Sequence, residues 1–168
     1  MKRLTWLVGP PGSGKSTWAN GLRCQTRVVE LTDMLGPLVN PVRMRKGVLR
    51  ANAALVRLVR ELELHPENRA LPPLLVVAGI VPEEALFPLG DDEAVLLLLP
   101  PRERWEEQLR RRPTDGGSSG QYDDYAYAAE WYDRFSLWPA RGLACTLLDL
   151  PFDPELLGRT AEGARGEP

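Results

Sequence analysis

Residues 9–16 read Gly-Pro-Pro-Gly-Ser-Gly-Lys-Ser, and this octet limits the chain to few folds. It satisfies G-x-x-x-x-G-K-[ST] at every specified position. An apolar run, Leu4 to Val8, precedes it, and a helix-forming stretch over 16–23 follows. Strand, glycine turn and helix in that order make a site for an anion. Glycines let the backbone bend with its N–H groups turned inward, where side chains would block the approach. The helix adds the positive end of its dipole. Lys15 supplies a cation for the β- and γ-phosphates of a nucleoside triphosphate, and the Ser16 hydroxyl suits Mg²⁺. Gly9, Gly12, Ser13, Gly14, Lys15, Ser16 and Thr17 are the expected nucleotide contacts, with ATP or GTP bound as its magnesium complex. A glycine-rich turn arising by chance would lack the strand before it and the helix after it.

The rest of the chain alternates strands with helices. Apolar runs at 27–31, 74–77, 94–99 and 143–148 read as further strands, and 48–64, 82–87, 100–111 and 122–135 as helices. Loops are expected at 36–46 and 113–121, where Pro, Gly and Ser concentrate. Alternation of this kind predicts an α/β domain with a mainly parallel sheet of about five strands. Ligands then lie beyond the carboxyl ends of the strands. One domain over 1–157 and a polar tail over 158–168 are expected.

Composition removes several chemistries. With 168 residues, 43% apolar and 26% charged, the chain suits one globular domain. No stretch reaches the roughly 18–20 apolar residues needed to cross a bilayer, and nothing points to export, so a cytoplasmic setting is expected. Cys24 and Cys145 lie far apart with no CxxC spacing and read as buried thiols in a reducing compartment. His65 is the single histidine, placed at an exposed helix end, which disfavours histidine-based triads and zinc sites. Charge is uneven. Residues 1–70 hold 12 Lys/Arg against 5 Asp/Glu, whereas 71–168 hold 9 against 18. Within 43–60 stand Arg43, Arg45, Lys46, Arg50, Arg57 and Arg60 with no acid among them. That cluster attracts an anionic ligand or forms a solvated helix face. Arg50 and Arg57, seven apart, share one face.

The octet with its continuation Thr17-Trp18-Ala19, and a strand leading to Asp33, resemble the P-loop kinases. The likeness is to the polynucleotide 5′-kinase group in particular, and it extends over residues 4 to about 135. It implies a three-layer P-loop kinase fold with a helical lid at about 110–122, Thr17 backing up Ser16, and Asp33 as general base and magnesium neighbour. A carboxylate there can accept the proton of an attacking hydroxyl; as an alternative, Asp33 caps the following helix. The resemblance places lid arginines among Arg110, Arg111 and Arg112, with Arg110 on nucleotide and Arg111 on the transferring group. The other reading is a charged helix end suited to the helix dipole. Arg43, Arg45, Arg50 and Arg57 are the expected acceptor contacts.

Two positions depart from that group's pattern: Gly36 stands where an arginine is usual, and Ala78 where a second acid is usual. The aromatic helix divides between a core stripe of Tyr125, Tyr132 and Phe135 and rings that stack on a base. Three functions remain open. One is phosphoryl transfer to a hydroxyl, either a polynucleotide 5′ end or a small metabolite or nucleoside. The others are an ATPase or switch without an acceptor, and a nucleotide-binding module.

Overall fold

A computed structural model describes residues 1–35, 45–111 and 125–148. Arg43, Arg112, the expected lid beyond Arg111 and the 158–168 tail lie outside these residues. Five strands form one sheet, β1 (Leu4–Val8), β2 (Arg27–Glu30), β3 (Leu74–Ala78), β4 (Glu93–Leu98) and β5 (Thr146–Leu148). Their order is β2-β3-β1-β4-β5. Every pairing is parallel, with Leu4 opposite Leu74 on one side and Glu93 on the other. The chain crosses from β3 over β1 to reach β4, so the loop after β1 opens at the point where strand order reverses.

Both faces of the sheet are covered, as a parallel sheet requires. The helices are α1 (Lys15–Asn20), α2 (Leu31–Leu35), α3 (Arg45–Glu63), α4 (Glu83–Leu86), α5 (Arg102–Arg110) and α6 (Tyr125–Ala140). Alternation along β1 sends Leu4, Trp6 and Val8 into the core shared with α3 and α6, while Leu7 meets Trp18, Ala19 and Leu22 on the other side. Trp6 and Leu7 are fully buried; each such side chain contributes about 1.5–3 kcal/mol relative to exposure. No described helix is long and apolar enough to cross a membrane.

Several elements differ from the sequence expectation. The fifth strand is only Thr146–Leu148, shorter than 143–148. Apolar residues at 48, 55, 59 and 62 mark the helical period of α3, but its buried stripe is Val48, Asn52, Val56, Val59 and Glu63, and Leu62 is exposed. Polar residues belong to that stripe because distant partners reach them. Asn52 donates to the Ile80 carbonyl at 2.5 Å, and Glu63 pairs with Arg3 at 2.6 Å and with Arg27. On α6 the buried rings are Tyr127, Trp131, Tyr132, Phe135 and Trp138, whereas Tyr125 is exposed. Trp131, Phe135 and Trp138 are therefore core and present no stacking platform. Cys24 is exposed and Cys145 half-buried, so neither thiol is fully in the core. His65 is exposed and caps a short 3-10 turn over Pro66–Ala70.

Candidate active site

The phosphate loop is shaped by two turns of backbone that a side chain would oppose. Ser13 N–H closes on the Pro10 carbonyl at 3.2 Å, with Gly12 at φ +77°. Gly14, at φ +92°, caps α1, and the Trp18 N–H takes its carbonyl at 2.9 Å. These positive φ values suit glycine. Gly9 is constrained differently, since a Cβ there would collide with the Leu98 carbonyl oxygen at the end of β4. The Lys15 ammonium folds over the loop and donates to the carbonyls of Gly9 (2.9 Å) and Pro10 (2.8 Å) and to Ser13 Oγ (3.4 Å). It is thus held against the loop by three of the loop's own oxygens.

A cavity of about 480 Å³ lies in front of the loop. Gly12, Gly14, Lys15, Ser16 and Thr17 line one wall, and Glu30, Thr32 and Asp33 another. Sequence elements explain this meeting: β2 lies two strands from β1, and both run in the same direction. Their carboxyl ends therefore open on one edge. Asp33 is exposed and sits inside the first turn of α2, which begins at Leu31, so it is not a helix cap. Gly79, after β3, faces Lys15; a Cβ there would stand 3.6 Å from Nζ. The adjoining Ala78 is buried.

Glu30, Arg23 and Gln108 also line the cavity, although sequence reasoning did not single them out. Glu30 is the last residue of β2 and provides a second carboxylate, so Asp33 is not the single acid of this wall. Its signal was an acid directly after the Val28-Val29 pair at the strand's carboxyl end. Arg23 brings a cation, held by Asn20 Oδ1 at 2.7 Å. Gln108 comes from α5, and its Oε1 is buried without a hydrogen-bond partner among the described residues. Nothing local in the sequence marks Gln108, because α5 reaches the loop only through the fold.

The expected arginines are dispersed. Arg110 and Arg111 are exposed at the end of α5 and pair with Glu106 (3.6 Å) and Glu107, outside the cavity lining. Arg45 stacks on the Tyr127 ring, 4.1 Å from its centroid. Arg50 borders a different hollow of about 420 Å³ between α3, α4 and α6, beside Val81, Trp131 and Arg134. Arg57 is exposed on α3. Arg60 is not a surface cation. It binds Glu93 at 2.7 Å and the carbonyls of Ala85 (3.2 Å) and Leu86 (2.8 Å).

Behind the loop, α5 and α6 form one unit. Asp133 binds Arg102 at 2.6 Å, and the Tyr125 hydroxyl donates to Glu106 at 2.6 Å. That hydroxyl, then Arg102, holds the Glu106 carboxyl below its usual range against the opposing effect of burial, and Asp133 raises the Arg102 guanidinium further. Burial pushes the Tyr132 hydroxyl up.

Solved structures share this architecture over nearly the whole chain. A sugar kinase from Janibacter sp. HTCC2649 is 19% identical, with 96% of this chain and 92% of that one covered and a TM-score of 0.60. Shikimate kinase from Aquifex aeolicus is 15% identical, with 97% and 99% covered and a TM-score of 0.62. Deoxyadenosine kinase from M. mycoides, solved with bound dATP, is 12% identical, with 98% of each covered and a TM-score of 0.60. No protein-family model matches the chain, and a sequence search of curated proteins finds no match. The fold is accordingly the three-layer α/β fold of small P-loop kinases.

Proposed function

We propose that the chain is a Mg²⁺–ATP-dependent phosphotransferase that moves the γ-phosphoryl group to a hydroxyl acceptor. The observation that carries this reading is one cavity lined by Lys15, Ser16 and two carboxylates, Glu30 and Asp33, in front of a glycine loop. Its oxygen donors are the kind a hard divalent cation prefers, so the residues fit magnesium, and Ser16 and Asp33 would hold it. When bound, the ion would neutralise phosphate charge. Lys15 holds the β- and γ-phosphates, and the loop amides hold the remaining oxygens. Asp33 takes the acceptor's hydroxyl proton as the new O–P bond forms. The bond between the γ-phosphorus and the β,γ-bridging oxygen breaks, and ADP leaves. Arg110 and Arg111 would serve as lid cations only by leaving their glutamate partners.

Among acceptors, a small metabolite or nucleoside is better supported than a polynucleotide 5′ end. A nucleic-acid track needs cations lined up toward the site. Here Arg60 is consumed by Glu93, Arg45 lies on Tyr127, and Arg50 and Arg57 are outside the cavity lining. The structural neighbours named for sugar, shikimate and deoxyadenosine agree with a small acceptor. On the polynucleotide reading, Arg43, Arg45, Arg50 and Arg57 would grip the acceptor.

Transfer of label from γ-labelled ATP to a panel of nucleosides, sugars, hydroxy acids and 5′-OH oligonucleotides tests both. The expected result is a labelled small molecule, with Asp33→Asn lowering kcat by about 10²–10⁴. Labelled oligonucleotide alone would restore the polynucleotide acceptor. Phosphate released to water with every acceptor untouched would refute phosphotransfer.

A further inference from the structure

One fully buried polar group is not used by the reaction above, the indole N–H of Trp105. It donates to the Pro11 carbonyl at 2.7 Å, across 94 residues of chain. Pro11 is the second corner of the turn Pro10–Ser13, and Gly12, at φ +77°, is the third. Proline followed by a positive-φ glycine at these corners is a type II turn. Its central peptide, Pro11–Gly12, is the unit whose reversal would give type I. That peptide is trans, because the one cis bond among the described residues joins Phe87 to Pro88. In a planar trans peptide the carbonyl and the next N–H point in opposite directions.

We propose that Trp105 is a positioning residue for nucleotide binding: by holding the Pro11 carbonyl against α5, it aims the Gly12 N–H away from the indole and into the set of loop amides that receives phosphate. This rests on the nucleotide-binding reading above. The indole has little freedom to follow a reversed peptide. Tyr132 packs 4.7 Å away, centroid to centroid, and donates its hydroxyl to the Pro100 carbonyl at 2.8 Å. Leu109, one turn along α5, covers Gly12 so closely that a Cβ there would stand 2.8 Å from its Cδ1. Reversal would turn the Gly12 N–H toward the indole and leave two buried donors facing each other with no acceptor, which proteins rarely accept. Residues 105, 108 and 109 share one face of α5, so the same face that fixes the turn also brings Gln108 to the cavity.

The test is to replace Trp105 with 3-benzothienylalanine, which keeps two fused rings and substitutes sulfur for the N–H, with Trp105→Phe as a second variant. Four readouts are needed: Mg–ATP and Mg–ADP affinity by calorimetry, the steady-state constants, the melting temperature and the Gly12 amide resonance with its couplings. Losing one aimed donor is expected to raise Kd about five- to twentyfold for both nucleotides. KM for ATP rises more than kcat falls, and the Gly12 resonance moves. Unchanged Kd and an unmoved Gly12 signal, with only a lower melting temperature, would overturn the proposal and leave Trp105 as packing. If the unaltered protein binds no nucleotide, the phosphotransferase reading falls. The Gly12 resonance then still decides the turn assignment, supporting it if moved and refuting it if not.

Discussion

Replacing Lys15 with alanine separates the work of its charge from its part in the fold. In the structure the ammonium binds the loop oxygens of Gly9, Pro10 and Ser13 at 2.8–3.4 Å while the residue is only partly buried. Hydrogen bonds from a charged donor are worth about 1.5–3 kcal/mol when sheltered, and solvent beside this lysine lowers the total to about 2 kcal/mol. For a domain of this size that shifts melting by about 4–8 °C. The kinetic effect is larger. Loss of a donor aimed at developing charge costs about 10²–10³ in turnover. Ligand-induced stabilisation separates the two effects further. At a hundredfold excess over Kd, Mg–ATP adds about 2.7 kcal/mol to a protein that binds it, or about 5–11 °C. Scanning calorimetry with and without Mg–ATP, beside a label-transfer assay, is the measurement. Lys15→Ala is expected to melt a few degrees lower, to lose most of the nucleotide-induced rise, and to turn over at least a hundredfold more slowly. A variant that keeps the full rise and transfers phosphate within tenfold of the parent would refute the reasoning.

Other substitutions address single contacts. Arg60→Met leaves Glu93, whose side chain is 2% exposed, without its cation. The expected loss is about 3 kcal/mol, seen as a fall in denaturant midpoint with activity per folded molecule unchanged; a stable variant with weakened acceptor binding would return Arg60 to the binding surface. Glu30→Gln is expected to raise the magnesium concentration for half-maximal rate about tenfold while sparing folding, and an unaltered magnesium curve would remove Glu30 from the site. Acid should loosen the α5–α6 unit. The Glu106 carboxyl titrates below its usual 4.5, chiefly through the Tyr125 hydroxyl. Its contribution is therefore complete above the unfolded value and lost as pH falls through the lower folded one. Tyr125→Phe should flatten the decline in melting temperature as pH falls below about 4.5; an identical decline in both proteins would contradict that assignment.

Legibility in the sequence followed the range of the interactions. The octet, the strand before it and the helix after it are local, and loop and flanks stand where residues 4–20 place them. Parallel strands also announce themselves, because LTWLV and LLVVA are apolar at nearly every position, as burial on both faces demands. What failed depended on distant partners. Apolar spacing on α3 does not include Asn52 or Glu63, yet contacts with Ile80 and Arg3 make them core. Arg60 looked like one more cation until Glu93, 33 residues on, claimed it. Tyr125 was expected inside because its spacing to Tyr132 and Phe135 suited a stripe, but α6 turns Tyr127 and Trp131 inward instead. Glu30 and Gln108 reach the cavity only once β2 and α5 are docked around β1.

The central claim is that the glycine loop and its facing acids receive a nucleoside triphosphate. Isothermal titration of Mg–ATP into the purified protein tests it most directly. The account predicts a saturable isotherm with one site per chain, strongly weakened by Lys15→Ala. Absence of heat with both Mg–ATP and Mg–GTP, from protein shown to be folded, would contradict it.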